Sequence, residues 1–401
     1  MERRLIGLLV ALLLAAAHAP SATTRTTTPL DDVLRAAVEQ RRVPGVVAMV
    51  ATANGVAYQG AFGAAKDGIF SLASMTKAVT SVAVMQLVEA GKVKLDEPAA
   101  TYLPELGAVQ VLEGGALRAP KAKITVRMLL THTSGFAYEF LNRELHDYVA
   151  AGKTPSIVAG GDAFMKAPLL FDPGTRWEYG ISTDWLGKLV EKVSGQTLEA
   201  YFKEHVFAPL GMADTFFEVP ADKRPRLVPH FQRQDDGTLA QQPAPPAQPV
   251  TFFSGGGGLF STAEDYLKFS RAIMGGGQLG RARILRADSV ALMGQNQIGE
   301  RELRLPTSVV PQLAKPGAVL PGDLNKFGLG FALNTRPLAK GRGANTLSWA
   351  GIYNTFFWID REKKVCAVLL TQVLPFLDDG PKALLEDFDR AVYAWRDPET
   401  R

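Results

Sequence analysis

Ile69-Phe70-Ser71-Leu72-Ala73-Ser74-Met75-Thr76-Lys77 passes from a strand-like run into the start of a strong helix, and the chain reads outward from that change. Ser74 to Ala90 has helical spacing, with Val79, Val82, Ala83, Leu87 and Val88 on an apolar face and Gly91 beyond its end. Ser74 and Lys77 stand at i and i+3, so the amine can reach the hydroxyl on one helix face. A helix N-terminus adds free backbone N–H groups and a positive potential, an environment in which a neutral amine can serve as a base. This is the only S-x-x-K in the chain, but 14 serines and 19 lysines in 401 residues give about 0.7 matches by chance. The motif alone is therefore equally consistent with an N-cap serine beside a solvated lysine.

On the N-terminal side, Asp31 to Arg42 reads as a helix stopped by Pro44-Gly45. Val46 to Thr52 and Val56 to Phe62 read as two strands joined around Asn54-Gly55, a hairpin signal. On the C-terminal side the middle is helical and loop-rich. Thr125 is predicted to cap a helix through Leu130, Thr183 one through Val193, Thr197 one through Val206, and Thr262 one through Ile273. The end returns to strands at Phe327 to Asn334, Thr346 to Trp349, Tyr353 to Asp360 and Val365 to Gln372, followed by a helix from Lys382 to Trp395. Strands at both ends imply one antiparallel sheet built from both termini, flanked by helices, an α+β arrangement. The expected organisation is an α/β domain from 23–92 and 320–401, a mainly helical lobe from 93–319, and a cleft between them.

The 401 residues are 47% hydrophobic and 21% charged, which excludes disorder and coiled coil as the main architecture. The net charge of +4 comes from interleaved signs without a basic stripe, so no nucleic-acid partner is expected. Arg3 and Arg4 precede an apolar run from Leu5 to Ala17 and the small-x-small triplet Ala17-His18-Ala19. That is the pattern of a signal peptide over 1–19, with cleavage there or as far on as 22, and implies a periplasmic or secreted protein. The run is shorter than the ~20 apolar residues of a spanning helix, so no stable membrane anchor is expected. Cys366 is the only cysteine, so no internal disulfide can form. His132, His146, His205 and His230 show no metal-ligand spacing, and no metal site is expected. Ser254-Gly255-Gly256-Gly257-Gly258 lacks the lysine of a phosphate loop and reads instead as a tight turn at a cleft. No G-x-S-x-G occurs.

A second candidate element is Phe171-Asp172-Pro173-Gly174-Thr175-Arg176-Trp177-Glu178-Tyr179-Gly180-Ile181-Ser182. Pro-Gly marks a turn, and Tyr179 lies just before a predicted helix, where its phenol can be presented at a loop edge and exchange protons with Lys77. An ordinary half-buried tyrosine fits the same pattern.

With Leu129-Leu130-Thr131-His132-Thr133-Ser134-Gly135, Leu186-Gly187, Pro209-Leu210-Gly211-Met212 and Gly255 to Thr262, these segments resemble in order the serine β-lactamase-like superfamily. The resemblance runs from about Val43 to Leu370 and is to the class C branch, which also holds the family VIII carboxylesterases. It implies a β-lactamase/transpeptidase-like fold with the serine between a sheet domain and an all-helical lobe. It also implies roles: Ser74 the acylated nucleophile, Lys77 its activating partner, Tyr179 the general acid/base, and the backbone N–H groups of Ser74 and Ile352 an oxyanion hole. The third element of such proteins, K-T-G, corresponds here to Trp349-Ala350-Gly351, the form seen in similar esterases. Where class C β-lactamases carry asparagine two residues after the tyrosine, this chain has Ile181.

Both departures replace polar anchors by apolar surface, with Trp349, Gly351 and Ile181 as expected substrate-binding residues. The expectation is a cofactor-free serine esterase for small, largely apolar acyl groups. The alternatives are a β-lactamase or D-alanyl peptidase, an acyltransferase, or an inactive binding relative. Substrate choice is assigned to loops near Phe136 to Tyr148, Pro243 to Phe253 and Arg304 to Leu324, and Arg342 or Lys326 would be the substitute anchor for an anionic substrate. Oligomeric state is left open.

Overall fold

The computed structural model describes residues 27–243, 249–317 and 320–396. The expected export signal lies outside these. Helix α1 (Pro29–Glu39) opens with a capping box, the Thr28 hydroxyl accepting from the Asp31 amide and the Asp31 carboxylate accepting in return. The hairpin follows as β1 (Val46–Thr52) and β2 (Gly55–Phe62), and then the short β3 (Phe70–Ser71). The middle of the chain holds α2 (Thr76–Glu89), α3 (Val126–Leu130), α4 (Arg143–Ala150), α5 (Ser182–Ser194) and α6 (Leu198–Phe202). After β4 (Phe260–Ser261) and α7 (Ala263–Met274) come β5 (Lys326–Phe327), β6 (Ala332–Leu333), β7 (Leu347–Gly351), β8 (Thr355–Asp360), β9 (Val365–Leu370) and α8 (Asp379–Arg396).

Seven strands form one antiparallel sheet in the order β5-β6-β7-β8-β9-β1-β2, which joins the two chain ends through Val47 opposite Leu370. Both of its faces are covered, which is why Val365-Cys366-Ala367-Val368-Leu369-Leu370 is an unbroken apolar run, every residue of it buried. Successive residues of a strand point to opposite faces. Phe357 meets Tyr266 of α7, while its neighbour Trp358 meets Phe388 of α8. Helix α7 therefore lies against the sheet although it belongs to the segment read as the helical lobe. On the other face, Arg342 pairs with Asp389 at 3.0 Å and lies 4.5 Å over the Trp358 ring, and Asp360 accepts from Tyr393 at 3.0 Å. No described helix is long and apolar enough to cross a membrane.

Several local expectations shift. Helix α2 is buried nearly all round, including Lys77, Thr80 and Ser81, because α5 and α6 pack against it and the Gly255 and Gly330 backbones pass beside Thr80 and Ser81. Thr183 does not cap α5: Ile181 holds that position without a side-chain bond, and Thr183 lies within the first turn. The helix capped by Thr197 gives way after Phe202 to a π-turn over Lys203–Phe207. The strand read from Phe327 to Asn334 is a tight hairpin. Gly330 takes a positive φ of 91°, and a Cβ on Gly328 would stand 2.0 Å from the Met293 carbonyl oxygen. Helix α4 and the helix Ala287–Met293 are additions to the sequence reading; α4 carries a start signal, Asn142, whose side chain accepts from the Leu145 amide.

Candidate active site

Strand β3 pairs with β4, and the Leu72 amide donates to the Leu259 carbonyl, so the chain reaches Ser74 from a fixed direction. Ala73 then reverses it with a φ of 46°, a left-handed conformation costing about 1–2 kcal/mol for a residue with a Cβ. A tight turn over Ala73–Met75 leads into α2 and leaves Ser74 half-buried at the edge of a cleft. Lys77 is 2% exposed. Its Nζ donates to Ser74 Oγ at 3.2 Å, to Tyr138 Oη at 2.9 Å and to the Gly256 carbonyl at 2.6 Å. These three partners fit either protonation state. An ammonium gives three N–H donors, while an amine gives two and accepts the Ser74 hydroxyl on its lone pair.

Tyr179 faces this pair through its ring, with Lys77 Nζ 4.8 Å from the centroid. Its hydroxyl accepts from Trp349 Nε1 at 3.2 Å. An indole N–H can only donate, so the Tyr179 proton remains available to the cleft. Trp349 thus lines the cleft and also orients Tyr179. The phenol that accepts from Lys77 is Tyr138, which the sequence reading passed over within a loop it had marked only for substrate choice. Burial first, then the charges of Tyr179 and Asp184, hold the Tyr138 hydroxyl well above its usual range, so it stays protonated. No local pattern distinguishes Tyr138. It stands beside Tyr179 because Gly180 passes against Ala137, where a Cβ would come within 2.4 Å of the Ala137 Cα.

His132 packs against Tyr179, ring centroids 5.0 Å apart, and against Phe327. Full burial, reinforced by the Lys77 charge, keeps it neutral at physiological pH. Burial pushes the Cys366 thiol up to about 12, so it is no competing nucleophile. Ser134 and Ser182 bond each other at 2.8 Å, buried. Among the described residues no group of three His, Cys, Asp or Glu could hold a metal.

Gly351 ends β7 where that strand crosses the turn before Ser74. A Cβ there would stand 2.2 Å from the Leu72 carbonyl oxygen, and Thr355 Oγ1 donates to the same carbonyl at 3.2 Å. This close approach brings Ile352 to the cleft beside Ser74. Gly351→Ala is accordingly expected to cost about 1–3 kcal/mol, the range of core overpacking, and to lower turnover with it. Thermal unfolding alongside an activity assay checks this, and an unchanged melting temperature would show that the strands can part freely.

The cleft has a volume of about 390 Å³. Its far wall is apolar, from Phe140, Leu141, Ile157, Leu305, Leu313 and Phe376 among others. Of the three loops expected to shape it, 136–148 and 304–324 do, while Pro243 and Val250 border a separate pocket. Ile181 is not a lining residue. It is 3% exposed and borders a small pocket with Ala137, Leu145 and Phe164. Neither expected substitute cation reaches the cleft: Arg342 is held by Asp389, and Lys326 donates to the Gly299 and Arg301 carbonyls. The lysine that lines the cleft is Lys315, paired with Asp379.

The family model described as Beta-lactamase matches residues 30–391. Monacolin J acid methylbutanoyltransferase of Aspergillus terreus is 32% identical, aligned over 91% of this chain and 95% of its own. Lovastatin esterase of Penicillium rubens is 30% identical over 92% of this chain and 99% of its own. Among solved structures, unliganded simvastatin synthase from Aspergillus terreus matches with a TM-score of 0.78 at 32% identity, covering 92% of this chain and 99% of that one. Its relatives thus include both acyltransferases and esterases, and the chain with its Ser74–Lys77 pair belongs to the Beta-lactamase family, with that family's fold.

Proposed function

We propose that this protein hydrolyses carboxylic esters of small, largely apolar acyl groups through an acyl-enzyme on Ser74. The observation that carries the reading is half-buried Ser74 bonded to buried Lys77 at the head of an apolar cleft, with Trp349 where an anion-binding lysine would otherwise stand. In the reacting state Lys77, as the amine, takes the Ser74 proton while Oγ forms a bond to the ester carbonyl carbon. The oxyanion is received by the Ser74 and Ile352 amides, a donor of this kind being worth about 3 kcal/mol. The carbon–oxygen bond to the alcohol breaks, and Tyr179, its own oxygen held by Trp349, protonates the departing alkoxide. Water then gives a proton to the Tyr179 oxygen as it attacks the acyl carbon, and the Lys77 ammonium returns its proton to Ser74 Oγ as the ester bond breaks and the acid leaves. The N-terminal signal makes export to the periplasm or medium part of the same proposal.

A β-lactam carries a carboxylate, and burying it unpaired costs several kcal/mol. The kcat/KM for short p-nitrophenyl esters is therefore expected to exceed that for benzylpenicillin by at least ~10³, equivalent to about 4 kcal/mol of transition-state stabilisation. Steady-state assays on an ester panel beside benzylpenicillin and nitrocefin measure it. Equal rates would overturn the esterase reading and make Lys315 the group to examine as the anchor. A second reading, transfer of the acyl group to an alcohol, is favoured by the named activity of the methylbutanoyltransferase relative. Product partition between acid and new ester, with an alcohol added, separates the two.

A further inference from the structure

Asp184 is absent from the cleft wall, yet it is buried at 1% exposure in the first turn of α5, behind the loop Ser254 to Gly258. Its Oδ1 accepts from the Ser254 hydroxyl at 2.6 Å and from the Gly256 amide at 3.0 Å. Its Oδ2 has no hydrogen-bond partner among the described residues. Gly256 offers its amide to Asp184 and its carbonyl to Lys77, so a single glycine joins a buried acid to the buried amine. A Cβ at Gly256 would fall 2.4 Å from Asp184 Oδ2, so only glycine fits between them. The spacing is set by backbone. Thr80 Oγ1 donates to the Gly255 carbonyl at 2.7 Å, Thr76 Oγ1 accepts from the Leu259 amide at 3.1 Å, and a Cβ on Gly255 would meet the Thr183 carbonyl at 2.7 Å.

Leaving a buried carboxylate oxygen unpaired is unfavourable and calls for a charge that offsets it. The groups facing Lys77 are Ser74, the Tyr138 hydroxyl, the Tyr179 ring, neutral His132 and, across Gly256, Asp184. Asp184 is the one carboxylate of this set. We propose that Asp184 is the positioning residue of Lys77: it holds the Gly256 carbonyl against the amine and, as an anion behind that glycine, stabilises the ammonium formed when Lys77 takes the Ser74 proton. The inference rests on the acyl-enzyme reading above. Burial raises the Asp184 carboxyl above its ordinary value, and the Lys77 charge opposes that rise, the reciprocal side of the same coupling.

The test reads the pH dependence of Ser74 labelling by a fluorophosphonate, which needs no ester substrate. Asp184→Asn keeps an oxygen for Ser254 and Gly256 and removes the charge. Losing a nearby anion makes the ammonium easier to deprotonate, so the acid limb of the labelling rate should move down by about 1 pH unit, and the plateau should fall about tenfold as the amine becomes a weaker base. Ser254→Ala keeps the charge and releases one tie. It should lower the plateau and leave the limb in place. An unmoved limb in Asp184→Asn, or an equal shift in Ser254→Ala, overturns the proposal. Should Asp184→Asn not fold, carboxyl-¹³C NMR of Asp184 decides: its midpoint must rise in Lys77→Met, and an unchanged midpoint overturns the proposal. Failure of the wild type to label at Ser74 at any pH would overturn the acyl-enzyme reading and this inference with it.

Discussion

Ser74→Ala is expected to lower ester turnover by about 10⁶-fold, the scale on which loss of a serine nucleophile acts in a hydrolase, with the fold intact. Ser74 is the serine whose oxygen both faces the cleft and lies within hydrogen-bond distance of the buried amine. Ser134 and Ser182 bond each other beneath the surface, and Ser254 is bound to Asp184. Removing one half-buried hydroxyl at a helix start leaves the packing of Leu72 and Met75 in place, so circular dichroism and melting temperature should barely change. Intact-mass analysis after a slow substrate should show one acyl adduct in the wild type, mapped to Ser74, and none in the variant. An adduct on Ser134, Ser182 or Ser254 would sink the assignment.

Lys77→Ala and Tyr179→Phe should each lower kcat by about 10³-fold, within the span of general acid–base catalysis, and the double variant should lose little more. The two groups act on one proton path, so the second deletion has little left to remove. Lys77→Ala also strands the Tyr138 hydroxyl and the Gly256 carbonyl, two buried polar atoms, so a lower melting temperature should accompany it. Tyr179→Phe strands only the Trp349 N–H and should melt close to wild type. Tyr138→Phe discriminates the two phenols. Tyr138 is held protonated and accepts from Lys77, so its loss should cost about tenfold, well short of Tyr179→Phe. Near wild-type kcat in Tyr179→Phe would make Tyr179 structural and move proton transfer to Tyr138, while additive losses in the double variant would place Lys77 and Tyr179 on separate steps.

Much of the architecture was legible because period and burial coincide in this chain. Asn54-Gly55 between two strand-forming runs marked a hairpin, and the apolar run within Val365 to Gln372 a strand. Thr125, Thr197 and Thr262 cap their helices as their positions indicate, each accepting from a backbone amide three residues on. Thr183 failed the same rule because Ser182 already begins the helix and bonds Ser134 across the fold. A cap is a local competition that a tertiary bond can win.

The sequence by itself determined the sheet built from both ends and the serine–lysine spacing on one helix face, and placed a tryptophan, Trp349, rather than a cation in the last motif. Each depends on residues close in the chain or on chemistry that a residue type carries with it. Only the tertiary structure decided which neighbours those residues meet. Tyr138 comes to Lys77 across 61 positions and Gly256 across 179. Ile181 turns away from the cleft although its neighbour Tyr179 faces it, and Lys315 rather than Arg342 or Lys326 reaches the cleft wall. Such meetings depend on how closely backbones can pass, at Gly180 against Ala137, Gly255 against Thr183 and Gly351 against Leu72. Contact at that range is a property of two distant segments together, and neither carries it in its own pattern.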